Sequence, residues 1–399
     1  MQSSLWGNIL KYGMLALCVS AVVTFLRFPI GSTTTWWLIK SIIFLSMFML
    51  WDKTYRPVQI ILWMVLVLAS CVAGTFFCRD YWDWKHLVSN VINYSICVAA
   101  MLACVPEALQ KVLSFLYKHI WVLFFLFVFF LPSKGIAKFL LPFTFLALFY
   151  PLLNSKYSKL VWLAFLITII LGIQSRSDVI RFLFCLAIGI WSIRHDVVRI
   201  AKRWYWVFFV LPFVLFTLAA KGKFNVFKIG DDSSLIADEN NRISTADTRT
   251  MLYEEVISTV LDRSAMWFGC TPARGYYSEW MIRNNDQSNI MGDMHYGERG
   301  NSESSVLNVF LHFGIIGIVV YLLLFWRASF LGIFRANNRY VPVIGLYVAF
   351  RFMMGWVEDF TSFDMNMFLL WTMIGICYSP YFREMTDDEF EEWIENMLV

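Results

Sequence analysis

Three short polar clusters interrupt an otherwise apolar chain, and each carries groups suited to handling anions or protons. Arg249 follows Asp247, which has the side chain and setting of a helix N-cap. A cation in the first turn opposes the helix dipole, at a cost of about 0.3–1 kcal/mol. Free N–H groups at a helix start together with an Arg form an anion site suited to a phosphate. The alternative is a solvated Arg paired with Asp247 or Glu254. Arg176 occupies the short turn Ser175-Arg176-Ser177-Asp178, with Arg181 one turn further on. It either binds an anion at the membrane surface or snorkels to lipid headgroups. Glu303, within Asn301-Ser302-Glu303-Ser304-Ser305, opens the apolar run that continues to Trp326. A carboxylate there either caps the helix or takes a proton from a ligand hydroxyl. Glu358 and Asp359, with Asp364 nearby, and the pair Asp80 and Asp83 form acidic turns that could hold a divalent ion, but their spacing is not diagnostic. His295 and His312 stand alone, as structural histidines do. No P-loop, Rossmann, HExxH or GxSxG pattern is present.

The elements that must position these groups are membrane spans. Of the 399 residues, 59% are hydrophobic and 16% charged, against about 45–50% and 25% in soluble domains. The net charge of +4 is too small to indicate a nucleic-acid partner. Apolar runs predict about twelve transmembrane helices at the length a bilayer demands: roughly 8–26, 35–51, 58–78, 87–105, 118–132, 139–153, 159–174, 179–193, 205–220, 305–325, 340–357 and 365–382. The first is long for a signal-peptide core and lacks a small-residue cleavage site after it, so it is expected to be retained. Trp36, Trp37, Tyr81, Trp82, Trp84, Trp204 and Trp206 cluster at span ends, as an interfacial belt would. Alternation from a cytoplasmic N-terminus puts Lys53, Arg56, Lys111, Lys118, Lys156, Lys159, Arg194, Arg199, Lys202, Arg203, Arg327, Arg335, Arg339 and Arg383 inside. Fewer basic residues, among them Arg27, Arg79, Lys85, Lys134, Lys138 and Arg176, fall outside. The positive-inside rule therefore predicts two cytoplasmic termini.

The domain plan is helices 1–9 over 1–220, a large extracytoplasmic loop over 221–304, helices 10–12 over 305–382, and an acidic cytoplasmic tail over 383–399. Within the loop, Leu252, Val256 and Val260 recur at helical spacing after Asp247 and predict an amphipathic helix, broken by Gly269, Pro272 and Gly275. Cys270 is the one cysteine of this loop, so the loop has no internal disulfide. The other cysteines sit in or beside apolar runs, where packing is their expected role, and no Cys/His spacing reads as a metal site.

Three pieces of the chain resemble a known family. They are Gln174-Ser175-Arg176-Ser177; Asp247-Thr248-Arg249-Thr250-Met251-Leu252-Tyr253 with Trp267-Phe268-Gly269 and Pro272-Ala273-Arg274-Gly275; and Ser302-Glu303-Ser304 followed, nine residues later, by Gly314-Ile315-Ile316-Gly317. With the span pattern, these resemble the O-antigen polymerase and ligase superfamily. It comprises Wzy-type polymerases of surface polysaccharides and WaaL-type ligases. The ligases typically carry a His where this chain has Glu303, which favours the polymerase branch.

The resemblance implies an all-α, GT-C-like membrane enzyme of the bacterial inner membrane. It implies metal-independent, inverting glycosyl transfer with no cofactor. The donor would be an oligosaccharide on undecaprenyl pyrophosphate and the acceptor another lipid-linked repeat unit. A flippase and a chain-length regulator are the implied partners. Glu303 would be the catalytic base. Arg176 and Arg249 would hold the pyrophosphate, and Arg274, Tyr253, Glu358, Asp359 and His295 complete the implied substrate-binding set. A ligase acting on lipid A-core or protein, and a transporter of lipid-linked glycans, are the alternatives.

Overall fold

The computed structural model describes residues 2–26, 33–130, 133–171, 176–192, 196–220, 248–279 and 297–398. Helix dominates them. The only sheet among them is an antiparallel pair, Tyr276–Tyr277 with Glu298–Arg299. Among the described residues, five helices are long and apolar enough to cross a membrane: Val58–Thr75, Tyr81–Cys104, Pro106–Phe127, Val197–Leu218 and Ser305–Phe334. Four shorter apolar helices, Leu5–Val19, Thr34–Leu50, Tyr340–Met354 and Met365–Tyr378, accompany them. Along Val58–Thr75 the exposed residues Val58, Leu62, Val65, Leu68 and Val72 recur at helical spacing. An apolar stripe facing outward is what lipid contact requires and water would penalise.

Not every apolar run becomes one straight span. The run 139–153 breaks into the end of Ser133–Leu140, then Phe143–Leu148, then a 3-10 turn over Tyr150–Leu152. Pro142 and Pro151 remove two backbone donors. Residues 139–149 are buried throughout, so this irregular backbone meets protein rather than lipid. The hydroxyl of Tyr117 donates to the Pro142 carbonyl at 2.9 Å, and Phe145 N to the same oxygen at 3.2 Å. A Cβ on Gly189 would come within 2.0 Å of the Ala147 carbonyl oxygen, so helix Arg176–Trp191 lies directly on this segment.

Helix Ser305–Phe334 is the central discontinuity. Gly314 has φ +64° and ψ −158°, which divides the helix into two halves. The loop after helix Thr248–Asp262 enters the break. Ile315 and Ile316 donate to the carbonyls of Met266 and Trp267 at 2.9 and 3.2 Å, which satisfies N–H groups at the start of the second half. At the end of the first half, the Leu311 carbonyl accepts from Cys270 N at 2.6 Å. The His312 carbonyl accepts from the Ser70 hydroxyl at 3.1 Å. Gly314 therefore does more than allow helices to approach. It supplies a left-handed residue where a Cβ would stand 2.4 Å from the Trp267 carbonyl carbon. The spacing between Ser304 and Gly314 also gains a meaning, as the length of the first half-helix. Gly314→Ala is expected to destabilise the protein by about 1–3 kcal/mol from the φ alone, with the clash in addition. A lowered melting temperature in detergent checks this; an unchanged one would remove the steric argument.

The acidic C-terminal stretch is not a free tail. Helix Asp387–Leu398 buries Phe390, Trp393, Ile394 and Met397. It is pinned by Gln110 Nε2 donating to the Trp393 carbonyl at 2.8 Å and by Arg339 on Glu391 at 2.9 Å. Its acidic residues form the outer face of an amphipathic helix.

Candidate functional site

The turn joining Tyr340–Met354 to Met365–Tyr378 gathers three other elements. Ser305 N donates to the Glu358 carbonyl at 2.9 Å, and Val306 N to the Gly355 carbonyl at 3.1 Å. The Ser304 hydroxyl reaches the Gly355 carbonyl at 3.1 Å. These bonds dock the start of the broken helix on the turn. Tyr253, in the second turn of Thr248–Asp262, donates its hydroxyl to the Trp356 carbonyl at 2.5 Å. Arg181, in helix Arg176–Trp191, binds Glu358 Oε2 at 2.5 Å. The helix that begins at Arg176 and the helix whose first turn holds Arg249 are thus both tied to 356–358. The side chains of Arg176 and Arg249, and the whole of His295, lie outside the described residues.

Glu358 is the hub of a buried ion cluster. Besides Arg181, Arg351 Nη1 reaches the same oxygen at 3.0 Å, and Asp178 lies 3.4 Å from Arg181. The Arg351 guanidinium stands over the Phe360 ring at 3.8 Å. Burial disfavours the Glu358 charge, but Arg181, Arg351 and a hydrogen bond from Ser177 outweigh it and hold the carboxyl below its ordinary range. A carboxylate neutralised this way is a structural anchor and a poor proton acceptor.

Asp359, the next residue, has the opposite character. Surrounding protein pushes its carboxyl above the ordinary range, with the Asp364 charge adding to this, against lowering by hydrogen bonds from Thr361 and Asn308. Yet its side chain is exposed to solvent. Protein thus crowds this carboxyl on several sides while leaving it a path to solvent. Its hydrogen bonds from the described residues all go to Oδ1: Asn308 Nδ2 at 3.0 Å, Thr361 N at 2.8 Å and Thr361 Oγ1 at 2.5 Å. Oδ2 is left to meet solvent or a ligand hydroxyl. Asn308 is fixed in turn, accepting from Ser302 N at 2.6 Å and donating to the Ser302 carbonyl at 3.0 Å.

Glu303 projects from the other side of that motif. Its side chain is 59% exposed and lies 3.3 Å from Arg299. It does not cap the helix; Ser304 does, accepting from Leu307 N at 3.4 Å. Arg274 pairs with the buried Asp83 at 3.2 Å, and Asp80 caps helix Tyr81–Tyr94 through Trp82 N and Asp83 N. The acidic turns are therefore engaged by protein groups. Among the described residues, no group of three His, Cys, Asp or Glu side chains could hold a metal ion.

His312, which the sequence leaves isolated, accepts or donates at Nδ1 with the Tyr94 hydroxyl at 2.8 Å. Its ring centroid lies 6.1 Å from that of His86. His86 Nε2 meets Asn90 Nδ2 at 2.9 Å, and Asn90 binds the Pro272 carbonyl at 2.9 Å and Asn301 at 3.2 Å. Asn308, Tyr94, His86 and Asn90 were missed in the sequence. Their signal was faint: single polar residues inside apolar runs, which burial makes costly unless they are bonded.

No family model matches the chain, and a search of the curated proteins finds no match.

Proposed function

We propose that this protein polymerises oligosaccharide repeat units carried on undecaprenyl pyrophosphate, by inverting glycosyl transfer, as a Wzy-type polymerase of a bacterial surface polysaccharide. The reading takes the apolar runs other than the broken 139–153 as spans, by the length a bilayer demands, in the GT-C-like arrangement that the resemblance implies. Both termini would be cytoplasmic, with the site at the outer face of the inner membrane. The observation that carries it is the bonding of two helix starts, those bearing Arg176 and Arg249, to the turn that holds Asp359. A pyrophosphate leaving group needs cations, and a sugar hydroxyl needs a proton acceptor; the proposal draws both from the residues of this end of the bundle.

In this mechanism Asp359 Oδ2 takes the proton from the acceptor hydroxyl as its oxygen attacks the anomeric carbon. The bond from that carbon to the pyrophosphate oxygen breaks. The bonding pair leaves with the pyrophosphate, whose charge Arg176 and Arg249 stabilise. The proton acceptor is assigned to Asp359 rather than Glu303, because Glu303 lies exposed in an ion pair with Arg299. The Glu303 identity still favours polymerase over ligase, on the resemblance. Arg351, which a transporter could use as a charge within a span, is neutralised by Glu358.

The test is Arg176→Lys and Arg249→Lys, read as the length distribution of polysaccharide made by cells. Each variant keeps the charge but loses the planar fork. The polymer ladder is expected to collapse toward single repeat units at unchanged protein level in the membrane. Full-length polymer from both variants would defeat the pyrophosphate assignment.

A further inference from the structure

The loop that fills the break in helix Ser305–Phe334 carries its most exposed side chains where a soluble loop should not. Met266 is 42%, Trp267 61% and Phe268 72% exposed. They follow Asp262, Arg263 and Ser264, so polarity switches within a few residues. The backbone of 266–269 is held at a definite depth. It binds the helix beyond the half that starts at Ser305 and ends at Phe313, about 13 Å from that start at 1.5 Å per residue. On the neighbouring helix, Ser70 marks the same level through the His312 carbonyl. Ser70 lies about 8 Å below that helix's end at Thr75, by the same rise. The outward faces at this level and deeper are apolar: Leu68 and Val72 on Val58–Thr75, then Val319 and Leu323 about 6 and 12 Å further along the second half-helix.

We propose that 266–269 is a re-entrant turn whose Met266, Trp267 and Phe268 side chains rest among lipid acyl chains, in the leaflet on the side of the 221–304 segment. Part of the turn's backbone is bonded to protein at that depth. Met266 O and Trp267 O accept from Ile315 and Ile316, and Gly269 N donates to the Ala265 carbonyl at 2.7 Å. Bonds of this kind are what allow non-helical backbone to lie at membrane depth. The segment read from sequence as wholly outside the membrane is thus anchored in it, and the anchor forms a wall between lipid and the Tyr94–His312–His86 network. A Cβ on Gly269 would meet the His312 carbonyl carbon at 2.4 Å, which shows how close the turn lies to that network. The inference stands apart from the proposed reaction, since it concerns depth alone.

Nitroxide labelling tests it. Phe268→Cys and Trp267→Cys, each in a background with the native cysteines replaced, are reconstituted in liposomes of phosphatidylethanolamine and phosphatidylglycerol. Collision rates with oxygen and with nickel-EDDA are compared with labels at Leu62→Cys and Tyr277→Cys. The label at 268 is expected to match Leu62, with an oxygen-to-nickel ratio several-fold above that at Tyr277. A ratio equal to that at Tyr277 places the turn in water and overturns the proposal. Protection from both reagents means that protein, such as a second copy, covers the turn, and overturns it too. If Phe268→Cys does not insert, Trp267→Cys decides by the same comparison.

Discussion

Asp359→Asn is expected to reduce polymer formation by about 10²–10⁴-fold, the range a positioned general base contributes. Asn keeps an oxygen that can accept the Asn308 and Thr361 hydrogen bonds received by Asp359 Oδ1, so the turn should survive. What is lost is the basic Oδ2. Glu303→Gln is the contrast and should leave long polymer, because Glu303 is exposed and paired with Arg299. The reverse pattern, a collapsed ladder from Glu303→Gln and a normal one from Asp359→Asn, would return the proton acceptor to Glu303. The pH profile adds a second reading. The base must be ionised, so activity should rise with pH through a value above the ordinary aspartate range, since burial raises Asp359. Asp364 raises it further. Asp364→Asn should therefore move the lower limb toward lower pH, and it retains an oxygen for the Met367 N–H that Asp364 caps at 2.9 Å.

Glu358→Ala is expected to cost about 3–5 kcal/mol of stability, the penalty of leaving buried charge uncompensated. Two guanidinium groups share one Glu358 oxygen, and Arg351 is 1% exposed at its side chain. Removing the carboxylate leaves Arg351 no anionic partner among the described residues. The measurement is thermal unfolding in detergent, beside Glu303→Gln as an exposed-carboxylate control. Equal melting temperatures for the two variants would mean that water or lipid headgroups already screen the cluster. The sign of the pH effect follows from the depressed Glu358 carboxyl. Its contribution is fully present above the ordinary carboxylate value and is lost as pH falls through the lower folded value. Acid should therefore narrow the gap between Glu358→Ala and the parent protein.

The membrane class was legible in the sequence because it depends on composition summed over long windows. The bilayer demands apolar length, and local packing cannot change that. The helix Thr248–Asp262 was legible too, since Leu252, Val256 and Val260 share a face at helical spacing and are all buried. The run 139–153 was misread as one span, because hydropathy does not distinguish lipid contact from burial in protein, and Pro142 decides the backbone. Glu358 and Asp359 are adjacent and chemically alike in sequence. Only the tertiary structure separated them, by placing Arg181 from a distant helix beside Arg351 on Glu358, and Asn308 on Asp359. Gly314 likewise read as a small residue for helix contact. Its left-handed conformation became necessary only when a loop from forty-odd residues earlier supplied the carbonyls that its broken helix lacked. Such pairings are long-range: the energy of a charge or a freed N–H depends on the partner the fold brings to it, and no local pattern encodes that partner.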